Sequence, residues 1–192
     1  MITVQVPATS ANVGAGFDTL GLALNLPNTV QMEEHDGVDI APADGNAVPT
    51  GPENLVYQAA QHLYRECGRP FTGLRLRQQS PIPSARGLGS SSACVVAGLF
   101  GANALMRHPC TREDLLTIAA GMEGHPDNVA PAILGGLVAS CIQDGRVYSV
   151  KKEISPMLEF AVFIPDFELR TDTARAILPK MVPHADAVYN LS

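Results

Sequence analysis

The sequence has no tryptophan, and aromatic residues account for only 5% of its 192 positions. Charged residues make up 17%, against about 25% in an average protein, and the net charge is −6. So few basic residues exclude binding through a broad basic surface for nucleic acid or a polybasic segment for membranes. No apolar run reaches the roughly 18 residues of a membrane span, and the first residues do not resemble a signal peptide. We therefore expect a cytoplasmic protein without nucleic-acid or membrane partners.

Cysteine is also scarce. Cys67, Cys94, Cys110 and Cys141 are widely spaced, and no two of them form a CxxC pair. This spacing is unlike that of a metal site. We expect reduced thiols that pack as small hydrophobic side chains.

Glycine and proline, by contrast, are abundant, with 17 and 15 residues in a chain that is 46% hydrophobic. This composition predicts a folded protein rich in turns. Alternating residues over 2–6 and 71–77, and short apolar segments elsewhere, predict strands over 2–6, 22–26, 29–34, 38–41, 71–77, 137–142, 146–151 and 160–164. Helical spacing and capping residues predict helices over 54–67, 90–106, 111–122, 127–134 and 171–178, and another from about 184. This order indicates an α+β fold.

Three local signals add detail to this organisation. Pro7 is expected to end the first strand. Asp36-Gly37 is typical of a tight turn, and it predicts a hairpin between the strands over 29–34 and 38–41. A shift of composition near Ser155 is the best candidate for a domain boundary.

The segment Pro81-Ile-Pro-Ser-Ala-Arg-Gly-Leu-Gly-Ser-Ser-Ser-Ala93 connects a predicted strand to a predicted helix. A helix N-terminus offers unpaired N–H donors and a positive dipole end, and glycines let the backbone come close to a ligand. These properties suit phosphate binding, although a tight turn with a well-capped helix start explains the same residues. The segment lacks the lysine of a P-loop, and Ser92 stands where a dinucleotide fingerprint needs glycine.

Two further segments concentrate polar residues between apolar ones. In Glu123-Gly-His-Pro-Asp-Asn128, the glutamate suits Mg²⁺ beside phosphates, and the aspartate suits a general base or an ammonium contact. In Pro7–Asp18, small residues surround the polar tips Asn12 and Asp18, as in a loop that a ligand approaches. Ordinary turns, one of them capped by Asp127, remain the alternative for both segments.

Together and in this order, the three segments resemble homoserine kinases of the GHMP kinase superfamily. Pro7-Ala-Thr-Ser-Ala-Asn-Val-Gly-Ala-Gly-Phe-Asp18 is similar to the family's first motif, and 81–93 is similar to its second, the phosphate loop. Glu123-Gly-His-Pro-Asp-Asn-Val-Ala-Pro131 resembles a stretch typical of homoserine kinases in particular. The likeness runs from Ile2 to the end of the chain.

The resemblance implies transfer of the γ-phosphate of ATP to the side-chain hydroxyl of L-homoserine, which gives O-phospho-L-homoserine for threonine biosynthesis. It implies a first domain of the ribosomal-protein-S5-domain-2 type over 1–155 and the beginning of a ferredoxin-like second domain over 156–192. ATP, L-homoserine and Mg²⁺ are the expected ligands. Assembly into a homodimer is left open.

The resemblance also assigns roles to individual residues. The nucleotide would be bound by Pro81, Ile82, Pro83, Ser84, Ala85, Arg86, Gly87, Leu88, Gly89, Ser90, Ser91 and Asn54. Ser91 and Glu123 would hold Mg²⁺. L-homoserine would be surrounded by Asn12, Asp18, His125, Asp127, Asn128, Thr171 and Arg175.

Within that set, Asp18 and Asp127 suit the ammonium group, and Arg175 suits the carboxylate through a bidentate contact. By its residue type alone, Arg175 is equally well a solvated helix charge. Asp127 and Asn12 would be the catalytic residues. If Asp127 is engaged by the substrate amine, the phosphate itself accepts the hydroxyl proton instead.

Two features depart from the family pattern. Pro27 stands where the family commonly has an aromatic residue. No third glycine-rich motif follows, and most of the second domain is missing. A further arginine that the family would bring to the substrate carboxylate is therefore missing as well. These departures suggest a fragment or a shortened product. They leave two alternatives open: another GHMP kinase, acting on mevalonate-like or sugar substrates, or a nucleotide-binding remnant without catalysis.

Overall fold

The computed structural model describes residues 1–164, 166–169 and 171–191. Its sheet consists of β1 (Ile2–Ala11), β2 (Leu20–Glu34), β3 (Gly37–Pro42), β4 (Gly73–Gln79), β5 (Leu137–Gln143) and β6 (Arg146–Lys152). Its helices are α1 (Leu55–Glu66), α2 (Ser90–Leu105), α3 (Arg112–Glu123), α4 (Val129–Leu134), α5 (Thr171–Ala176) and α6 (His184–Leu191). The predicted α+β class is confirmed. No helix within these ranges is long and apolar enough to cross a membrane.

The long strand β2 organises the sheet, whose order is β3-β4-β2-β5-β6 with β1 also paired to β2. The first part of β2 pairs with β5, and its second part pairs with β4, both antiparallel. Two separately predicted strands, over 22–26 and 29–34, are therefore one element. The hairpin of β5 and β6 is confirmed, with Gln143 opposite Arg146.

Pro7 does not end the first strand. The strand continues to Ala11, and the register shifts between Pro7 and Ala8, where Pro7 lies opposite Pro27. A bulge at this point leaves residues without ladder partners, so prolines that have no N–H to donate are tolerated there. Pro27, the departure from the family pattern, is an exposed residue of this bulge.

The hairpin predicted at Asp36-Gly37 is wrong. Strand β3 pairs with β4 in a parallel arrangement, with Val38 opposite Leu74, and β4 lies between β3 and β2. The chain bends at Asp36, and Gly37 has a φ of +81°. The N–H of Gly37 donates to the carbonyl oxygen of Thr72 at 3.0 Å, so it bonds the segment that leads into β4 and not the preceding strand.

The core lies between the sheet and the helices. Apolar residues of β4 alternate with polar ones, so that Leu74 and Leu76 are fully buried while Arg75 and Arg77 reach the other face. There the two arginines bind Asp39 and Glu33 through ion pairs. Most of helix α2 is buried, as its apolar sequence predicted, because α1, α3, α4 and strand β1 all pack against it.

Capping residues fix the starts of two helices. The Asn54 side chain accepts hydrogen bonds from the N–H groups of Val56 and Tyr57 at the start of α1. Thr111 and Asp114 form a capping box at the start of α3. Such caps satisfy donors that the helix itself leaves unpaired.

Residues after the last strand are largely exposed. The strand predicted over 160–164 is not formed, and Phe163 in its middle is 91% exposed. An extended segment needs a hydrogen-bonded neighbour to become a strand, and no described segment pairs with this one. The proposed boundary at 155/156 stays a prediction.

Close packing of α2 on α1 depends on Gly98. A methyl group at this position would lie 2.3 Å from the carbonyl oxygen of Val56 and 2.7 Å from Cβ of Ala59. We expect Gly98→Ala to lower the free energy of unfolding by about 1–3 kcal/mol, because the helices must separate. Urea denaturation of the purified chain measures this change.

The matched control is Gly121→Ala in α3, where nothing lies within 4 Å of the added methyl. This substitution should leave the free energy of unfolding unchanged or raise it by up to about 1 kcal/mol, because alanine favours helix. Equal effects of the two substitutions would contradict the packing argument.

Candidate active site

The loop between β4 and α2 presents backbone N–H groups at a helix start. Gly87 and Gly89 have φ values of +71° and +65°, in the left-handed region that favours glycine. Gly89 is the N-cap of α2, and no side chain caps the helix. The N–H groups of the first turn therefore have no partner inside the helix and can bind an anion, aided by the helix dipole.

The buried Thr9 joins this loop to the other two segments. Its N–H donates to the carbonyl oxygen of Leu88 at 3.1 Å, and its hydroxyl donates to Asn128 Oδ1 at 2.8 Å. Gly89 fits closely against it, since a methyl at Gly89 would lie 2.1 Å from Thr9 Oγ1. One side chain of β1 thus holds the helix start beside the segment over 123–128.

Glu123, the last residue of α3, faces the start of α2. Its two carboxylate oxygens accept hydrogen bonds from the hydroxyls of Ser91 and Ser92, each at 2.6 Å. The structure therefore brings together Ser91 and Glu123, the two residues predicted to hold Mg²⁺. A hydroxyl and a carboxylate are the hard oxygen donors that Mg²⁺ takes from proteins, which bind it by one or two such groups beside phosphates.

Asp127 is almost completely buried, at 1% exposure. Its Oδ1 contacts His125 Nδ1 at 2.5 Å and, more weakly, Asn128 Nδ2 at 3.4 Å. Among the described residues, its Oδ2 has no hydrogen-bond partner. A buried carboxylate oxygen without a donor is costly, so this atom is poised to accept a hydrogen bond from a ligand.

The position of Asp127 is set by a glycine of β2. A methyl group at Gly21 would lie 1.8 Å from the carbonyl oxygen of Asp127. Only glycine lets the sheet come this close to the segment, and that contact brings the carboxylate toward the first loop.

The first loop supplies Asn12 and Asp18, whose φ values are +58° and +53°. Asn12 Oδ1 accepts a hydrogen bond from the N–H of Asp18 at 2.8 Å, which closes the turn. The Asp18 carboxylate forms a bidentate ion pair with Arg175 of α5. The Arg175 guanidinium also lies 5.2 Å from the ring centre of Phe17, as a cation–π contact.

Asp18, His125 and Asp127 approach one another, each with a ligand atom within 4.8 Å of those of the other two. Asp18 in this cluster is already paired with a positive charge, the guanidinium of Arg175. His125 is engaged with Asp127, and this hydrogen bond raises the pKa of His125. The oxygens of Ser91 and Glu123 are therefore better suited to Mg²⁺ than this cluster is.

The other predicted residues have mixed placements. Asn54 is buried, and its side chain caps α1 and bonds Gln78 and the Pro49 carbonyl. It therefore has a structural role, and its side chain has no capacity left for a nucleotide. Thr171 is exposed at the start of α5, one turn before Arg175 and on the same side of the helix.

The remaining residues of the loop between β4 and α2 differ in how far they are buried. Ile82 and Leu88 are buried, so they can offer only backbone to a ligand. Arg86 is turned away from the helix start, because its Nη2 donates to the carbonyl oxygen of Asp166 at 2.9 Å. Pro81, Pro83, Ser84, Ala85 and Ser90 form the partly or fully exposed remainder of the loop.

Sequence reasoning missed four residues of this site: Thr9, Phe17, Gly21 and Ser92. Ser92 had a visible signal, as the third of three serines at a helix start. Thr9, Phe17 and Gly21 lie in or beside the first motif, but their partners are more than 75 residues away, and no spacing in the sequence relates them.

The hydrogen bond that raises the pKa of His125 predicts a pH-dependent stability. The contribution of the charged pair is fully present below the ordinary histidine pKa of about 6.5 and is lost as the pH rises through the higher value of the folded state. We expect the free energy of unfolding of the wild type, relative to His125→Gln, to fall as the pH rises above about 6.5.

Denaturant titrations at several pH values measure this difference. His184→Gln, at the exposed start of α6, is the control and should show no such trend. A stability difference between wild type and His125→Gln that does not vary with pH would refute the ion pair.

Comparison with known proteins adds to this geometry. Residues 54–136 match the family model of the GHMP kinase N-terminal domain. The chain is 45% identical over 193 residues to a homoserine kinase of Caldicellulosiruptor saccharolyticus and 46% identical over 194 residues to one of Moorella thermoacetica. All of the chain aligns, but it spans only 63% and 66% of those two relatives.

A solved structure agrees with the sequences. The homoserine kinase from Cytophaga hutchinsonii superposes with a TM-score of 0.78 at 32% identity, over 99% of this chain and 64% of that one. The chain thus matches just under two thirds of the length of its relatives. It contains a match to the N-terminal domain of the GHMP kinases, and over its whole length it is similar to homoserine kinases.

Proposed function

We propose that this chain carries the nucleotide site and much of the amino-acid site of a kinase that phosphorylates L-homoserine with ATP. The observation that carries the proposal is the juxtaposition at Thr9. An uncapped helix start and Ser91 lie in one segment, Glu123 and the buried Asp127 lie in a second, and Thr9 of β1 joins the two. The relatives named homoserine kinase support the same assignment.

The phosphates of ATP would lie against the N-terminus of α2. The N–H groups after Gly87 and Gly89 would donate to the phosphate oxygens, and the helix dipole would stabilise their charge. Ser91 and Glu123 would hold Mg²⁺, which when bound neutralises charge on the phosphates. Phosphoryl transfer depends mostly on such positioning and charge stabilisation.

The amino-acid site follows from the Asp18–Arg175 ion pair. L-homoserine is a zwitterion, so its ammonium group can take the place of the guanidinium at Asp18 while its carboxylate binds Arg175. Each charge then keeps an opposite partner, which avoids the cost of an unpaired charge in a partly buried site. A bidentate arginine also recognises the planar carboxylate.

Asp127 would complete the site through its unpartnered Oδ2. This oxygen can accept a hydrogen bond from the substrate ammonium group, or it can accept the proton of the attacking hydroxyl. His125 and Asn128 hold the other oxygen and so fix the direction of the carboxylate. We also infer a cytoplasmic location, consistent with four unpaired cysteines.

The direct test measures both steps on the 192-residue chain. Calorimetry would report binding of Mg²⁺-ATP, and a coupled assay would report ADP release that depends on L-homoserine, with mevalonate as the comparison substrate. We expect ATP binding and release of ADP with L-homoserine only. Binding without turnover would identify a nucleotide-binding unit that needs further chain for transfer, and absence of ATP binding would contradict the nucleotide site.

The metal assignment has its own test. Replacement of Glu123 by glutamine removes the charge that would hold Mg²⁺ beside Ser91. We expect Glu123→Gln to raise the Mg²⁺ concentration needed for half-maximal ATP binding about tenfold or more, which corresponds to loss of one charged contact. Glu113→Gln, exposed in the first turn of the same helix, is the control and should change nothing. Equal Mg²⁺ dependence in both variants would remove Glu123 from the site.

A further inference from the structure

A pair of cysteines lies outside the candidate active site. Cys67 is the C-cap residue of α1, and Cys110 immediately precedes Thr111, the N-cap of α3. Their sulfur atoms are 3.7 Å apart, and both residues are half-buried. We propose that Cys67 and Cys110 are a redox-modification site, at which a small disulfide oxidises the two thiols to a reversible intramolecular disulfide.

The backbone holds both cysteines in place. The N–H of Cys67 donates to the Leu63 carbonyl at 3.0 Å. The buried Asn103 side chain bonds both backbone groups of Cys110, accepting from its N–H at 3.0 Å and donating to its carbonyl at 3.1 Å. To form a disulfide, the sulfurs have to approach from 3.7 Å to roughly 2.05 Å.

A surface cavity of about 330 Å³ gives a reagent access to the pair. Besides the two cysteines, its wall includes Glu66, Glu113 and Asp114, and one cationic residue, Arg146. Three carboxylates against one guanidinium make the entrance acidic. The electrostatics therefore favour a cationic disulfide over an anionic one.

The other two cysteines lack this arrangement. Cys94 is largely buried near Glu123, and these two effects raise its pKa to about 11. Cys141 is exposed on β5. Only Cys67 and Cys110 have sulfur atoms in contact in the described part of the chain. No metal-binding cluster there includes either of them, which favours oxidation over metal binding.

The reaction proceeds by thiol–disulfide exchange. One cysteine thiolate attacks a sulfur of the small disulfide, which forms a mixed disulfide and releases one small thiolate. The second cysteine thiolate then attacks the protein sulfur of that mixed disulfide and releases the other small thiolate. The two cysteines lose two electrons, the small disulfide gains them, and the two cysteine protons end on the two small thiols.

Two consequences follow from the location. Burial and the hydrogen bond with Cys67 raise the pKa of Cys110 to about 11, so its thiol is protonated at neutral pH. The disulfide would close a loop over 67–110 that contains β4, the phosphate loop and all of α2. The crosslink should therefore stabilise the part of the chain that binds the nucleotide.

The test treats the whole reduced chain with cystamine, a cationic disulfide, and in parallel with dithiodipropionate, an anionic one. Alkylation and peptide mass spectrometry then count the free thiols and identify linked peptides. We expect two of the four thiols to be lost to a 67–110 link, roughly tenfold faster with cystamine at low salt, with a difference that shrinks at high salt. The melting temperature should rise by roughly 5–10 °C and return after reduction.

Three variants make the assignment specific. Cys67→Ser and Cys110→Ser should each abolish the internal link and the thermal shift, whereas Cys141→Ser should retain both. Reaction of all four thiols with the alkylating reagent after oxidation would overturn the proposal, as would a link through Cys94 or Cys141. Because mass spectrometry of the wild type alone decides these outcomes, the result does not depend on the folding of any variant or on kinase activity.

Discussion

A hydrogen bond from the Thr9 hydroxyl to Asn128 Oδ1 joins the first and third segments of the candidate site. Thr9 is fully buried, and its backbone N–H bonds the phosphate loop at Leu88, which adds the second segment. Gly89 lies against Thr9 and Gly21 lies against the Asp127 carbonyl, and neither has a side chain that would keep these segments apart. The site is therefore built by close approach of backbone segments, with small residues where they meet.

The carboxylates of the site have partners within the protein. Asp18 is paired with Arg175, Asp127 with His125, and Glu123 with two serine hydroxyls. One oxygen of Asp127 is the exception among the described residues. In the proposed function, a substrate with both an ammonium and a carboxylate group would replace the Asp18–Arg175 contact and leave each of the two charges with an opposite partner. This is the physical reason to expect an amino acid there and not a neutral alcohol.

How well each element was predicted depends on how far apart along the chain its interacting residues lie. Helices α1, α2 and α3 were predicted within a few residues, because caps and apolar spacing act over one or two turns. The pairing of β3 was predicted wrongly, because Asp36-Gly37 specifies a turn but cannot specify which strand will lie alongside. The strand predicted over 160–164 is not formed for the same reason, since this apolar segment has no strand beside it among the described residues.

The sequence by itself determined the three polar segments and most of the residues in them, because glycines, helix starts and clustered carboxylates are local signals. The order and wording of those motifs also showed which family they resemble. Only the tertiary structure decided how those residues are used. It bonded Asn54 to Gln78, added Ser92 to the Glu123 contact and paired Asp18 with Arg175, 157 positions apart. These assignments depend on distances across the fold, which no spacing along the chain encodes.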